Sequence, residues 1–185
     1  MCGIAGIIAK RKIHPDAVSA MTTLMEHRGP DGFGEWRNQS GTVALGHRRL
    51  AIIDITEAGA QPMCDHTNNA VITFNGEIYN YLEIAQQLTT AGVTLKSHSD
   101  TEVLLAAYMH WGSDCLSRLN GMFAFAIYDK RNNTVFCARD RFGEKPLLFA
   151  KTPNMIAFAS EYKALLPLQG VSAEQNDSLH LRFLI

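Results

Sequence analysis

Cys2 stands one residue from the start of the chain, and its type and place point to a definite chemistry. An initiator methionine is generally removed when the next residue is small. A chain beginning at Cys2 carries a thiol and a free α-amine on one residue. An α-amine titrates near about pH 7.7–8.0, more than two units below lysine, so it can accept the thiol's proton near neutrality. The nucleophile then supplies its own base for attack on an acyl carbon. The plainer alternative is a small buried apolar residue, and Cys2 alone does not separate the two. His27 and His47 invite a Cys–His pairing. It is discounted, because the amine already provides the base and a lone histidine is more often structural. Cys64, Cys115 and Cys137 add no Cys-x-x-Cys pair, so they read as reduced thiols of a cytoplasmic protein. The seven histidines are dispersed, with none at metal-ligand spacing from a cysteine or a second histidine.

A catalytic terminus must be held in place. The segment Cys2 to Ala9 (CGIAGIIA) is apolar and rich in isoleucine, which predicts a buried strand fixing position 2. Pro15 and Asp16 open a helix carrying Ala17, Val18, Met21, Leu24 and Met25 at three-to-four spacing, with Gly29 as its stop. Strands are predicted over Thr42 to Asp54 and Val71 to Phe74, separated by a long loop from Ile55 to Asn69. A second helix covers Tyr81 to Ala91. A third follows Ser99-Asp100-Thr101-Glu102, which has the capping-box form, and ends near Gly112. The last third reads MFAFAIYD, TVFCARD, LLFAK and MIAFAS between turns, an antiparallel meander. These strands are apolar on both faces, so each face needs a cover. Two packed sheets with helices outside satisfy that.

At 185 residues the chain fits one domain with a core large enough to fold without disulfides. Hydrophobic residues make up 46% and charged residues 19%, with a net charge of -1. That balance favours neither a nucleic-acid partner nor a membrane, since no apolar run approaches the roughly 20 residues of a membrane helix. The N-terminus has no secretory pattern. The C-terminal LHLRFLI places Leu181, Phe183, Leu184 and Ile185 where termini are usually polar, which reads as a truncated element.

Six motifs carry a resemblance. CGIAG at the terminus, HRGPDGFG from His27, HRRLAIID from His47, GAQPM from Gly59, FNGEIYN from Phe74 and SDTE from Ser99 together resemble the glutaminase domain of glutamine-dependent asparagine synthetases. GMFAFAIYD, ARDRFGEKPL and FASEYKAL extend the resemblance over nearly the whole chain. Other amidotransferases of the N-terminal-cysteine class share the CGI start but are not expected to keep RGPDG, RRLAIID and NGEIYN together. Leu148 and Phe149 depart from the tyrosines, and Ala51 from the serine, frequent in relatives.

The resemblance implies a role for each matching residue, and physical need can be set beside it. Acyl transfer from glutamine puts negative charge on the amide oxygen, where preorganised donors are worth roughly 3–4 kcal/mol each. The family's donors fall on Asn75 and Gly76, expected just after a strand; the alternative for Asn-Gly is a hairpin turn. The α-carboxylate of the substrate suits a guanidinium fork, by resemblance Arg49. Its neighbour Arg48 should point the opposite way on a strand. The α-ammonium falls to Glu77 and Asp100, with backbone of Ile52 and Ile53 shaping the site. Asp100 also sits inside the capping box, so a helix-start function competes with this role, and the two can coexist. Arg28, Gly29, Pro30 and Asp31 are expected in a loop over the bound substrate.

The fold implied is the α+β, four-layer αββα sandwich of N-terminal-nucleophile hydrolases, with antiparallel sheets. Residues 1–185 are then a single type-2 glutamine amidotransferase domain that ends before a C-terminal synthetase domain. The reaction implied is hydrolysis of L-glutamine with Cys2, Asn75 and Gly76 as its catalytic residues, without metal or organic cofactor. ATP and magnesium belong to the synthetase domain, whose Ser-Gly-Gly pyrophosphate loop does not occur here. Partners implied are L-glutamine, a synthetase that takes up the ammonia, and a second copy in a full-length homodimer. Two other classes stay open: an amidotransferase aminating a sugar acid or peptide carboxylate, and a non-catalytic scaffold domain. A carboxylate-binding arginine disfavours a penicillin-acylase type of activity.

Overall fold

The computed structural model describes residues 1–51 and 59–174. In chain order the elements are β1 (Gly3–Ala9), α1 (Ala17–Thr23), β2 (Gly32–Arg37), β3 (Val43–Arg49), β4 (Met63–Cys64), β5 (Ala70–Ile78), α2 (Tyr81–Thr90), α3 (Asp100–Trp111), β6 (Gly121–Asp129), β7 (Thr134–Arg139), β8 (Leu148–Lys151), β9 (Met155–Ala159) and α4 (Tyr162–Leu165). Short 3-10 turns occupy Glu26–Arg28 and Gly112–Arg118.

The strands form two sheets, ordered β2-β3-β1-β9-β8 and β4-β5-β6-β7, with every strand pair antiparallel. Side chains on a strand alternate between faces, and here the alternation sorts them into three apolar layers. Between the sheets lie Ile4, Val43, Leu45, Val71, Ala124, Ala126, Tyr128 and Phe158. Ala5, Ile7, Ala44 and Ala157 turn outward to meet Val18 and Met21 of α1 and Leu165 of α4. Ile72, Phe74, Ile78 and Phe125 turn outward from the second sheet to meet Ile84, Leu88, Leu104 and Leu105 of α2 and α3. The result is the four-layer αββα sandwich, with both faces of both sheets covered as the doubly apolar strands require. Burying each of the large side chains contributes about 1.5–3 kcal/mol.

Local sequence explains the boundaries. Gly92 and Gly112 take φ of +86° and +62° and end α2 and α3, since a side chain there would be strained. Ser99 Oγ accepts the Glu102 N–H at 3.3 Å and caps α3. The first helix stops at Thr23, before Gly29, and a 3-10 turn fills the interval. The strand starting near Thr42 ends at Arg49, with 52–54 outside the described residues.

The meander reading is corrected. β6–β7 and β8–β9 are hairpins, but β7 and β8 lie in different sheets. The Asp140 carboxylate organises the crossing between them. It accepts the N–H groups of Phe123, Phe142, Glu144 and Lys145, which turns the chain out of one sheet towards the other. The strand around Val71 is longer than expected and runs to Ile78.

Candidate active site

Four inward-facing strand positions and the residue before β1 converge at one end of the inter-sheet layer. Cys2 precedes β1 and is half-buried. On β3 the inward series Val43, Leu45 continues as His47 and Arg49; on β5 the series Val71, Thr73 continues as Asn75 and Glu77. Together with Gly76, Asp100, Gln61, Met122 and Lys145 they line a cavity of about 110 Å³. That volume suits a small amino-acid side chain rather than a large ligand. A larger cavity of about 590 Å³ lies on the outer face between β4 and α3. Among the described residues, its thiol, Cys64, has no buried unpartnered amide beside it.

The thiol is positioned through backbone. Leu50 N–H donates to Cys2 Sγ at 3.3 Å, and Arg28 Nε donates to the Cys2 carbonyl at 2.9 Å. Arg28 is itself held by Glu161 at 3.0 Å. Burial pushes the Cys2 thiol up; the Leu50 N–H, the chain's terminal ammonium, Arg49 and Arg28 oppose that rise.

Asn75 and Gly76 sit inside β5, paired with Ala124 and Phe123, so the hairpin alternative is excluded. The pairing also settles where their groups point. Tyr79 N–H donates to Asn120 O, and Lys130 N–H donates to Asn69 O, which marks the odd-numbered residues of β5 as those bonded to β6. The even-numbered residues turn their N–H groups to the other edge, which β4 covers only opposite Val71 and Ile72. Past β4, Phe74 N–H donates to Gln61 Oε1 at 2.6 Å and Ile78 N–H to Asp100 Oδ2 at 3.1 Å. Between them the Gly76 N–H faces the cavity with no partner among the described residues. Residue 76 must be glycine for packing, because a Cβ would stand 2.3 Å from Met122 O. Asn75 is 1% exposed, and its Nδ2 also has no partner among the described residues.

Asp100 is the first residue of α3 and is not the cap; Ser99 fills that role, leaving the Asp100 carboxylate turned to β5. Burial raises its pKa, partly offset by the N–H groups of Ile78 and Thr101, and nearby Glu77 raises it further. Two adjacent acids in one cavity create a place for a cation. The two arginines separate as alternation requires. Arg48 Nε donates to Thr22 O at 3.0 Å on the α1 side, whereas Arg49 lines the cavity. Pro30 and Asp31 lie outside the cavity lining: Pro30 bridges to Arg49, and Asp31 accepts the Ala51 N–H at 2.9 Å. These two contacts brace the wall formed by β3. His27 is turned to Glu161 at 2.9 Å and does not line the cavity. Ile52 and Ile53 lie outside the described residues.

Sequence reasoning missed Gln61 and Lys145 and set aside His47. Gln61 Nε2 donates to Thr101 Oγ1 at 3.2 Å while its Oε1 takes the Phe74 N–H, so it joins β5 to α3. Gln61 lies in the GAQPM motif and Lys145 in ARDRFGEKPL, and the polar members of these motifs are the available signal. His47 is fully buried, and its Nε2 lies 3.1 Å from Phe74 O, across the two sheets. Among the described residues no cluster of acids, histidines and cysteines could hold a metal ion, and no helix is long and apolar enough to cross a membrane.

Residues 1–185 match the profile of the family described as "Glutamine amidotransferase domain". The chain is 41% identical over 174 residues to asparagine synthetase [glutamine-hydrolyzing] 1 of Bacillus subtilis, covering 91% of this chain and 27% of that protein. It is 44% identical over 184 residues to a putative asparagine synthetase [glutamine-hydrolyzing] of Mycobacterium tuberculosis, covering 91% and 28%. It therefore spans little more than a quarter of the length of these relatives. Among solved structures, glutamine phosphoribosylpyrophosphate amidotransferase from B. subtilis superposes with a TM-score of 0.76 at 25% identity, over 89% of this chain and 43% of the other. Fold, sequence and the family profile agree: the chain belongs to the glutamine amidotransferase domain family, homologous to the domains of glutamine-hydrolyzing asparagine synthetases.

Proposed function

We propose that Cys2 hydrolyses L-glutamine to L-glutamate and ammonia, and that the ammonia serves an ATP-dependent synthetase of the asparagine type. The observation that carries the reading is one small cavity lined by a thiol and by two donors without partners among the described residues, the Asn75 side-chain amide and the Gly76 backbone N–H. Two donors without partners are costly unless a ligand oxygen arrives between them.

The chemistry follows from these groups. In a chain beginning at Cys2 the nitrogen that was an amide becomes an amine, and the space lined by Met1 opens. The amine takes the proton of Sγ, and Sγ bonds to the side-chain carbonyl carbon of glutamine. The carbonyl electron pair moves to oxygen, held by Asn75 Nδ2 and Gly76 N–H. Collapse breaks the C–N bond, with the α-ammonium returning its proton to the departing ammonia. Water, deprotonated by the same amine, attacks the resulting γ-glutamyl thioester and releases glutamate and the thiol. Arg49 takes the substrate α-carboxylate. Glu77 and Asp100 take its α-ammonium, which offsets the burial that raises Asp100. Only protein groups enter these steps; ATP and magnesium would act in the synthetase.

The acceptor is fixed outside these residues. A relative named Amidase chry2 in Gibberella zeae, 34% identical and covering 90% of this chain, shows that the domain also occurs in proteins of other names, so amination of a different carboxylate is the second reading. The glutaminase step is tested by ammonia release from glutamine and by a thiol-alkylating glutamine analogue, with intact mass confirming loss of Met1. Labelling at residue 2 and a drop of at least about a thousandfold in Cys2→Ala are expected. Ammonia release persisting in Cys2→Ala would exclude the reading.

A further inference from the structure

The cavity contains a third group without a partner among the described residues, and none of the roles assigned above uses it. His47 lies on β3 between Leu45 and Arg49, facing the second sheet. A carbonyl oxygen only accepts, so the 3.1 Å contact to Phe74 O places the ring proton on Nε2. Burial holds the imidazole pKa down at about 4, so the ring is neutral near pH 7. Its Nδ1 is therefore a lone-pair acceptor. That atom is buried and has no partner among the described residues, on a side chain that lines the cavity. Asn75 Nδ2, a donor, is unpartnered in the same cavity.

One acceptor and one donor, both orphaned, are complementary to a primary carboxamide, which offers one oxygen acceptor and an NH₂ donor. A carboxylate would set an acceptor against His47 Nδ1, and an ester brings no N–H at all. We propose that His47 is a specificity-determining residue: its Nδ1 accepts a hydrogen bond from the NH₂ of the substrate carboxamide, while Asn75 Nδ2 binds the oxygen of the same group. The inference rests on the proposed glutaminase reading, and it adds to it the distinction between amide and acid. It also gives the Nε2–Phe74 contact a purpose, since that bond fixes the tautomer and holds the strand next to Asn75.

Two substitutions divide the ring's functions. His47→Gln can keep a donor to Phe74 O while losing the Nδ1 acceptor; His47→Asn can keep an acceptor at the Nδ1 position while losing the bridge. The assay compares kcat/KM for glutamine with kcat/KM for the γ-methyl ester of glutamate, which reacts with the same thiol. For His47→Gln, glutamine turnover should fall about ten- to a hundredfold while ester turnover stays within about twofold. For His47→Asn, the preference for amide over ester should persist even where stability drops. A His47→Gln protein that loses both activities in equal proportion, or neither, overturns the inference, as does a His47→Asn protein that loses the amide preference. Wild-type protein that turns over neither substrate overturns the glutaminase reading itself, and this inference with it.

Discussion

The layer between the sheets has two halves built on the same strands. In one half, Val43 and Leu45 of β3 meet Val71 of β5, Ala126 and Tyr128 of β6, and Phe158 of β9, all buried and packed. In the other, the same inward alternation brings His47 and Arg49 of β3 against Asn75 and Glu77 of β5, around a cavity. Thr73 marks the boundary, its hydroxyl donating to Gly46 O across the sheets at 3.0 Å. Backbone geometry does not change along these strands; side-chain chemistry does. The packed half holds the sheets at a fixed spacing. The polar half uses that spacing to keep donors and acceptors apart until a ligand joins them. Apolar burial in the first half offsets the unpartnered donors and acceptors in the second.

This division predicts two different kinds of damage. Phe158→Ala removes the largest fully buried ring of the packed half and should destabilise the fold by about 3–5 kcal/mol, seen as a lower urea midpoint. Activity per folded molecule should be far less affected. Asn75→Ala should do the reverse. Turnover of glutamine should fall about 10²–10³-fold, equivalent to about 3–4 kcal/mol of transition-state stabilisation, with the urea midpoint nearly unchanged because the lost donor has no partner among the described residues. An Asn75→Ala protein that unfolded as readily as Phe158→Ala would erase the distinction between the halves.

The packed half was the more legible in sequence. Strands apolar on both faces demand two covers, and this alone leads from CGIAGIIA and MFAFAIYD to stacked sheets with helices outside. Where sequence reasoning fell short, the cause is non-local. β7 and β8 are adjacent in sequence and apolar, which reads as pairing; the carboxylate of Asp140, gathering four N–H groups, sends them to separate sheets. Asn-Gly reads locally as a turn, yet β6 approaches Gly76 so closely that only glycine fits within a strand. The site was legible where alternation decides direction: Arg48 and Arg49 separate as the period of two requires. Gln61 and His47 were not, since their importance lies in partners 13 and 27 residues away.

The halves should also differ in their response to acid, and His47 is the group through which the difference is read. Its pKa falls from 6.5 to about 4 on burial, so between these values the unfolded chain binds a proton that the folded chain does not. The unfolded state binds more protons, hence stability rises with pH through this window and is lost as pH falls from 6.5 towards 4. The loss amounts to a few kcal/mol, since each pH unit across that window is worth about 1.4 kcal/mol. Asp100 works in the opposite sense: burial raises its pKa, so the folded chain takes up its proton first, and protonation relieves a buried charge as pH falls. Comparing urea midpoints at about pH 7 and about pH 4.5, either end of the histidine's window, for wild type and His47→Gln isolates the histidine. Wild type should lose the larger share of its stability, and the variant, with no ring to protonate, should lose measurably less. Equal losses in the two proteins would show that His47 is not held neutral by the layer around it, and the polar half would then not be the acid-sensitive one.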